Sequence, residues 1–140
     1  MELVCTYIES ENFEKTVEFY KKVLQIEPNE FCANRWVEFE CGNKLSIYNK
    51  KYDEDKINNN INYNEAYIKN FNKLKSEKKN NIVTFNFYTD NLKEEYTRIQ
   101  NLDLGLVSEI MYVNIVEPYY YFNISDPDGN VLEIYSDNYE

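Results

Sequence analysis

A single carboxylate placed on a strand is the clearest chemical feature of this chain. In the closing stretch from Tyr121 to Tyr135, Asp126-Pro127-Asp128-Gly129 has the composition of a tight turn. Pro127 presets φ, the Asp side chains can bond nearby backbone N–H groups, and Gly129 tolerates φ > 0. The flanking residues predict two strands, and side chains alternate across a strand. Leu132 and Ile134 therefore point one way, and Val131, Glu133 and Tyr135 the other, which leaves Glu133 on the face opposite the apolar one.

The sequence also repeats. Cys5-Thr-Tyr-Ile-Glu-Ser-Glu-Asn-Phe13 matches Thr84-Phe-Asn-Phe-Tyr-Thr-Asp-Asn-Leu92 in pattern, and Leu45-Ser-Ile-Tyr48 matches Leu132-Glu-Ile-Tyr135. In this register Cys5 corresponds to Thr84 and Ser46 to Glu133, so a thiol, two hydroxyls and a carboxylate form one quasi-symmetric set. Histidine is absent from the chain. That removes the commonest metal ligand and the commonest general base near neutral pH, and with them Ser-His and Cys-His nucleophile pairs.

Composition narrows the partners. With 15 Lys+Arg against 25 Asp+Glu the formal net charge is −10, which repels phosphate backbones and anionic lipid surfaces. Nucleic acid and membrane are thus disfavoured as partners, while cationic small molecules are not. The amino terminus has neither a basic segment nor a long apolar run, so a cytoplasmic protein is expected. Cys5, Cys32 and Cys41 are odd in number and lack a CxxC spacing, which fits free thiols in a reducing compartment.

The elements that must position these residues follow in order. Leu3 to Glu9 reads as a strand. Ser10 or Asn12 then caps a helix with Glu11 and Glu14 early and Lys21 and Lys22 late, and with Phe13, Val17, Tyr20 and Leu24 as its buried stripe, before Pro28 stops it. Arg35 to Glu40 and Lys44 to Asn49 read as strands joined by a turn at Gly42-Asn43. Lys50 to Asn81 is rich in Asn and Lys. Tyr67, Phe71 and Leu74 suggest one amphipathic helix there, the rest being a polar connector. Ile82 to Thr89 is a strand alternating Val83, Phe85 and Phe87 with Thr84, Asn86 and Tyr88. A helix with the stripe Leu92, Tyr96 and Ile99 comes next, then strands near Leu106 to Ile115 and Tyr119 to Ile124. The order predicts an α+β fold of two βαβββ modules in one domain: a first module 1–49, a helical insertion 50–81 and a second module 82–140.

The segments Val17-Glu-Phe-Tyr-Lys-Lys-Val-Leu-Gln25 and Ser125-Asp-Pro-Asp-Gly-Asn-Val-Leu-Glu-Ile-Tyr135 resemble the vicinal oxygen chelate superfamily, which includes glyoxalase I, extradiol dioxygenases and the fosfomycin- and bleomycin-resistance proteins. The resemblance implies two strongly curved sheets, with a metal ligand on each of four strands in the metal-binding members. The matching positions here are Cys5, Ser46, Thr84 and Glu133, of which only Glu133 is a ligand type common in that family. A lone carboxylate beside a thiol and two hydroxyls is a poor first shell for a transition metal.

The non-metal, bleomycin-resistance-like members are acidic dimers that sequester a cationic aromatic antibiotic, and they imply the function expected here. That function is metal-independent binding of a small aromatic or cationic molecule by a homodimer, with no cofactor. The expected ligand-binding residues are Glu133, Cys5, Tyr7, Trp36, Glu38, Ser46, Tyr48, Thr84, Asn86, Tyr88, Tyr121 and Tyr135, with Glu9 and Asn123 on the same faces. Aromatic rings interleaved with carboxylates and amides suit a planar or cationic ligand. Two other readings stand beside it: a glyoxalase-type lyase or dioxygenase with a degenerate metal site at Glu133 and Cys5, and an interaction subunit with no ligand. Plainer roles also stand. Cys5 can be a small buried hydrophobe, Trp36 a dimer contact, and in a chain with 14 Tyr these rings can simply cover sheet surface.

Overall fold

A computed structural model describes residues 5–57, 63, 65–74, 84–114 and 118–139. Among these residues twelve elements occur in the order β1 (Thr6–Ser10), α1 (Phe13–Leu24), β2 (Glu30–Cys32), β3 (Trp36–Cys41), β4 (Asn43–Asn49), α2 (Lys50–Lys56), α3 (Glu65–Leu74), β5 (Thr84–Tyr88), α4 (Leu92–Asn101), β6 (Met111–Asn114), β7 (Pro118–Ser125) and β8 (Val131–Ser136). They make two compact units: Met1–Val17 with Ile26–Asn80, and Glu18–Gln25 with Asn81–Glu140. The expected strand starts at Leu3 and Ile82, the alternation at Val83, the side chain of Leu74 and the strand end at Ile115 lie outside the described residues.

In the first unit a four-stranded mixed sheet has the order β1-β4-β3-β2, with β1 parallel to β4 and the other pairs antiparallel. Ile8, Val37, Phe39, Leu45 and Ile47 form its buried apolar face. Burying them fully is the main driving force for this half, roughly 1.5–3 kcal/mol for each large side chain. Gly42 takes φ +93 in the β3–β4 turn, a conformation that few side chains tolerate. The short strand β2 was not expected. It pairs with β3 through Glu30 to Cys32 and is too brief to show an alternation.

In α1 the buried face is Thr16, Val17, Phe19, Tyr20 and Val23, whereas the expected Phe13 and Leu24 are only half-buried. The helix stops at Gln25, which takes the left-handed φ of 57, three residues before Pro28; a left-handed residue just past the last turn ends a helix without proline. Ser10 Oγ accepts a hydrogen bond from Asn12 N at 3.1 Å and bonds Thr16 Oγ1 at 3.3 Å, so it does position the helix start.

Among the described residues the insertion contains two helices rather than one. α3 is the expected amphipathic helix, but α2 begins directly after β4 and carries Asp53, which has no solvent exposure. Arg35 donates to both oxygens of Asp53, from Nε at 3.0 and 3.2 Å and from Nη2 at 2.9 Å. The phenols of Tyr48, Tyr63 and Tyr67 donate to the same carboxylate at 2.5, 2.5 and 2.8 Å. Burial by itself would raise the Asp53 pKa. The donors from Arg35, Tyr48, Tyr63 and Tyr67 more than offset this and hold the carboxyl well below the usual carboxylate range. The Tyr63 phenol is in turn pushed up to about 12, by burial and by its bond to Asp53.

The second unit repeats the sheet: order β5-β8-β7-β6, with β5 parallel to β8 and the rest antiparallel. Its apolar face is Phe122, Ile124, Leu132 and Ile134, and Leu92 and Ile99 of α4 are fully buried, with Tyr96 edge-on to Phe122 at 5.0 Å. Asn91 caps α4 by accepting from Glu94 N at 3.0 Å.

The turn at 126–129 forms as expected, and it is held by a second buried carboxylate. Asp126 Oδ1 accepts from the backbone N of Asp128 and Asn130 at 2.9 and 2.8 Å, and Oδ2 accepts from Asn130 Nδ2 at 2.8 Å and from the Tyr20 hydroxyl at 2.9 Å. The helix segment and the turn segment thus meet in one hydrogen bond. Arg98 of α4 donates to the terminal carbonyls of Lys22 and Val23 at 3.0 and 2.7 Å while paired with Glu95, so a cation sits at the negative end of α1.

Tyr20→Phe deletes one of four donors to Asp126, so it costs about 1 kcal/mol and lowers the melting temperature by about 3–5 °C. Asp126→Ala, which strands all four donors, is several times worse, and a thermal melt showing Tyr20→Phe equal to the parent would contradict this assignment. For Asp53 the folded pKa lies below the unfolded value of about 3.9, so the unfolded chain binds the proton more tightly. Its contribution is therefore complete above about pH 4 and is lost as pH falls toward the folded value. Urea midpoints between about pH 5 and pH 2.5 fall more steeply for the parent than for Asp53→Asn. Arg35→Met costs about 2–4 kcal/mol at pH 7, below the figure for a fully dry pair because the guanidinium is partly solvated.

Candidate functional site

Each sheet has a second face, opposite its apolar one, and the expected site residues stand on these faces. In the first unit the cross-strand register sets Tyr7 beside Ser46 and Ser46 beside Glu38, and one step on sets Glu9 beside Tyr48 and Tyr48 beside Trp36. The Tyr7 ring lies 5.3 Å from Trp36, and it meets Tyr48 edge-on at 6.4 Å. Tyr7 is 58% exposed and Trp36 half-buried, so these two rings are presented to solvent.

Tyr48 is different. It is buried, its hydroxyl is committed to Asp53, and the Arg35 guanidinium lies 5.0 Å from its ring centre. Burial, and then the bond to Asp53, raise its pKa far above that of a free phenol. Glu38 is buried and ion-paired with Lys44 at 3.0 Å, and Glu9 is 3.5 Å from Lys50 Nζ. Ser46 has no exposure, and its Oγ has no hydrogen-bond partner among the described residues. Cys5 stands half-buried just before β1. All three cysteines are free thiols.

In the second unit Asn86 stands beside Glu133 and Glu133 beside Asn123, while Tyr88, Tyr135 and Tyr121 form the next rung. Asn86 Nδ2 donates to Glu133 Oε1 at 2.6 Å. Asn123 Oδ1 is out of water and has no donor among the described residues. Tyr88 meets Tyr135 edge-on at 5.4 Å, and Tyr119 lies 5.5 Å from Tyr121 and 6.1 Å from Tyr135. A bond to Asp90 raises the pKa of the Tyr88 phenol, which stands in solvent. Thr84 is exposed and faces Val131 rather than Glu133. The residue brought to Glu133 from β5 is therefore Asn86, as Tyr7 rather than Cys5 is brought to Ser46 from β1. The repeat register holds, with Cys5 and Thr84 each two residues back along the chain, Cys5 just ahead of β1 and Thr84 at the start of β5.

The metal expected of the fold's metal-binding members needs several imidazole or carboxylate ligands together. The four positions offer one carboxylate, already accepting a bond from Asn86, a thiol and two hydroxyls. Among the described residues no three acids or cysteines cluster. That donor set does not fit a resident transition metal.

Asp53, Arg35, Tyr63 and Tyr67 were missed as a group. An Asp amid Asn and Lys reads as surface, and no spacing rule links residues 35, 48, 53 and 63. The signal available was the recurrence of Tyr48, Tyr52, Tyr63 and Tyr67 in an otherwise polar stretch.

No protein-family model and no curated protein matches this chain. Solved structures do. A lactoylglutathione lyase from Agrobacterium tumefaciens superposes with a TM-score of 0.64 at 21% identity, covering 96% of this chain and 92% of the other. A glyoxalase/bleomycin resistance protein/dioxygenase family enzyme from Burkholderia phytofirmans PsJN gives 0.69 at 13% identity over 96% and 98%. A bleomycin-binding protein complexed with bleomycin gives 0.59 at 12% identity over 99% and 100%. With two four-stranded mixed sheets of repeated topology, this chain has the vicinal oxygen chelate fold of the glyoxalase, bleomycin-resistance and dioxygenase structures.

Proposed function

We propose that this protein binds a small aromatic or cationic molecule without metal, as a cytoplasmic homodimer, in the manner of an antibiotic-sequestering protein. One observation carries the reading: the second face of the β5–β8 sheet is rich in acceptors and aromatic rings and poor in cations. Its register positions hold Glu133, Asn86, Asn123, Tyr88, Tyr121 and Tyr135, and none of them holds Lys or Arg. The side-chain amide oxygen of Asn123 lacks a donor among the described residues, and a buried acceptor in that state gains from a ligand N–H. Glu133 supplies the charge, and the tyrosines supply flat surface for stacking and cation–π contact. The net charge of −10 favours encounter with cations. The bleomycin-binding protein of the same fold supports the choice of probe.

Titration with bleomycin and with a simple cationic aromatic dye, followed by Trp36 and Tyr fluorescence, tests the proposal. Glu133→Gln keeps the fold by circular dichroism and weakens binding about 10- to 100-fold, the worth of a hydrogen bond to a charged group. Equal affinity in that variant removes Glu133 from the site. Raising the salt from about 0.05 to 0.5 M weakens binding of the cationic probe, because the screening length shortens. Elemental analysis after loading with Zn²⁺ and dialysis provides the control. Stoichiometric retention that disappears in Glu133→Ala would favour the lyase or dioxygenase reading instead.

A further inference from the structure

The insertion after β4 returns to the sheet that it leaves. Ser10, on the apolar side of β1, bonds Thr16 of α1. By contrast, α2 and α3 attach to the opposite, aromatic face: Asp53 of α2 accepts from the hydroxyls of both Tyr48 and Tyr67, and Lys50 pairs with Glu9, the register neighbour of Tyr48. Lys50 also lies 6.0 Å from the ring centre of Phe71. Tyr63, Tyr67 and Phe71 then stack in series at 5.0 and 6.1 Å. We propose that α2 and α3 form a strap that keeps the Tyr48–Glu9 end of this face covered, and that Asp53 is its latch.

The latch role follows from how the donors are distributed. One carboxylate collects Arg35 from the segment before β3, Tyr48 from β4, Tyr67 from α3, and Tyr63. Neutralising that carboxylate weakens every tie at once, since the bonds from all four residues are charge-assisted. The corresponding end of the second sheet shows the difference. Tyr48 is 8% exposed, whereas Tyr135, its counterpart in the repeat, is half-buried, and Tyr88 beside it on the same rung is 55% exposed and partnered by Asp90. Tyr7 and Trp36 remain as the accessible part of the first face, and a ligand reaching further toward Tyr48 has to displace the strap.

The test needs no ligand and uses the full chain. Hydrogen exchange is followed by peptide in the parent, in Asp53→Asn and in Tyr67→Phe, which removes one donor and keeps the ring stack. Peptides within 50–56 and 65–74 exchange about tenfold or more faster in Asp53→Asn, with a smaller acceleration in Tyr67→Phe, while 131–136 is unchanged. Acrylamide quenching of Trp36, the single tryptophan and the cross-strand neighbour of Tyr48, rises in the same order. Unchanged exchange in 50–74 overturns the latch. Equal acceleration of all peptides in both variants overturns the separable strap and makes Asp53 part of the common core.

Discussion

A carboxylate with no access to water is stable only if the protein replaces its hydration. Asp53 meets that condition through a forked guanidinium and three phenols. Taken alone, burial of this charge would cost several kcal/mol, so the surrounding donors are a condition of its being there. The dependence runs in both directions. Arg35 and Tyr48 are fixed by Asp53, and the insertion that carries it is fixed onto the sheet. A stretch with the composition of a solvated connector is therefore part of the fold.

Asp126 has the same logic on a smaller scale. It closes its own turn through two backbone N–H groups and reaches Tyr20 on α1. The two segments whose residues resembled a known superfamily are thereby physically linked. A turn of this composition forms in many proteins; a turn whose first Asp also anchors a helix is more constrained, because Tyr20 must lie on the buried face with its hydroxyl in reach.

The two sheets share topology and register but present different surfaces. In the first, Glu38 is neutralised by Lys44 and Tyr48 is consumed by Asp53. In the second, Glu133 has only the amide of Asn86 as its described partner, Tyr88 is exposed, and Tyr121 and Tyr135 are half-buried. The two modules place equivalent faces on the two sheets, and different residues at a few positions tie the first face into its own contacts at Glu38 and Tyr48 and leave the second without such ties at Glu133 and Tyr88. At the four positions that the resemblance matches to metal ligands, three carry a thiol or hydroxyl, so the fold is present here without that ligand set.

Strand alternation and helical spacing made the two modules readable from sequence, because burial follows a period of two or 3.6 residues wherever one face is apolar. The βαβββ repeat, the position of Glu133 opposite Leu132 and Ile134, the turn at Asp126 and the amphipathic α3 all come from that local physics. Neither β2, three residues long, nor the stop of α1 at left-handed Gln25 had such a signal. The tertiary structure alone decided that Asn86 and Tyr7, rather than Thr84 and Cys5, stand beside Glu133 and Ser46, since register is set by pairing between distant strands. It alone decided that Asp53 is buried. A charge on a polar segment reads as solvated, and only the convergence of Arg35, Tyr48, Tyr63 and Tyr67, brought from separate places in the chain, makes the opposite outcome favourable.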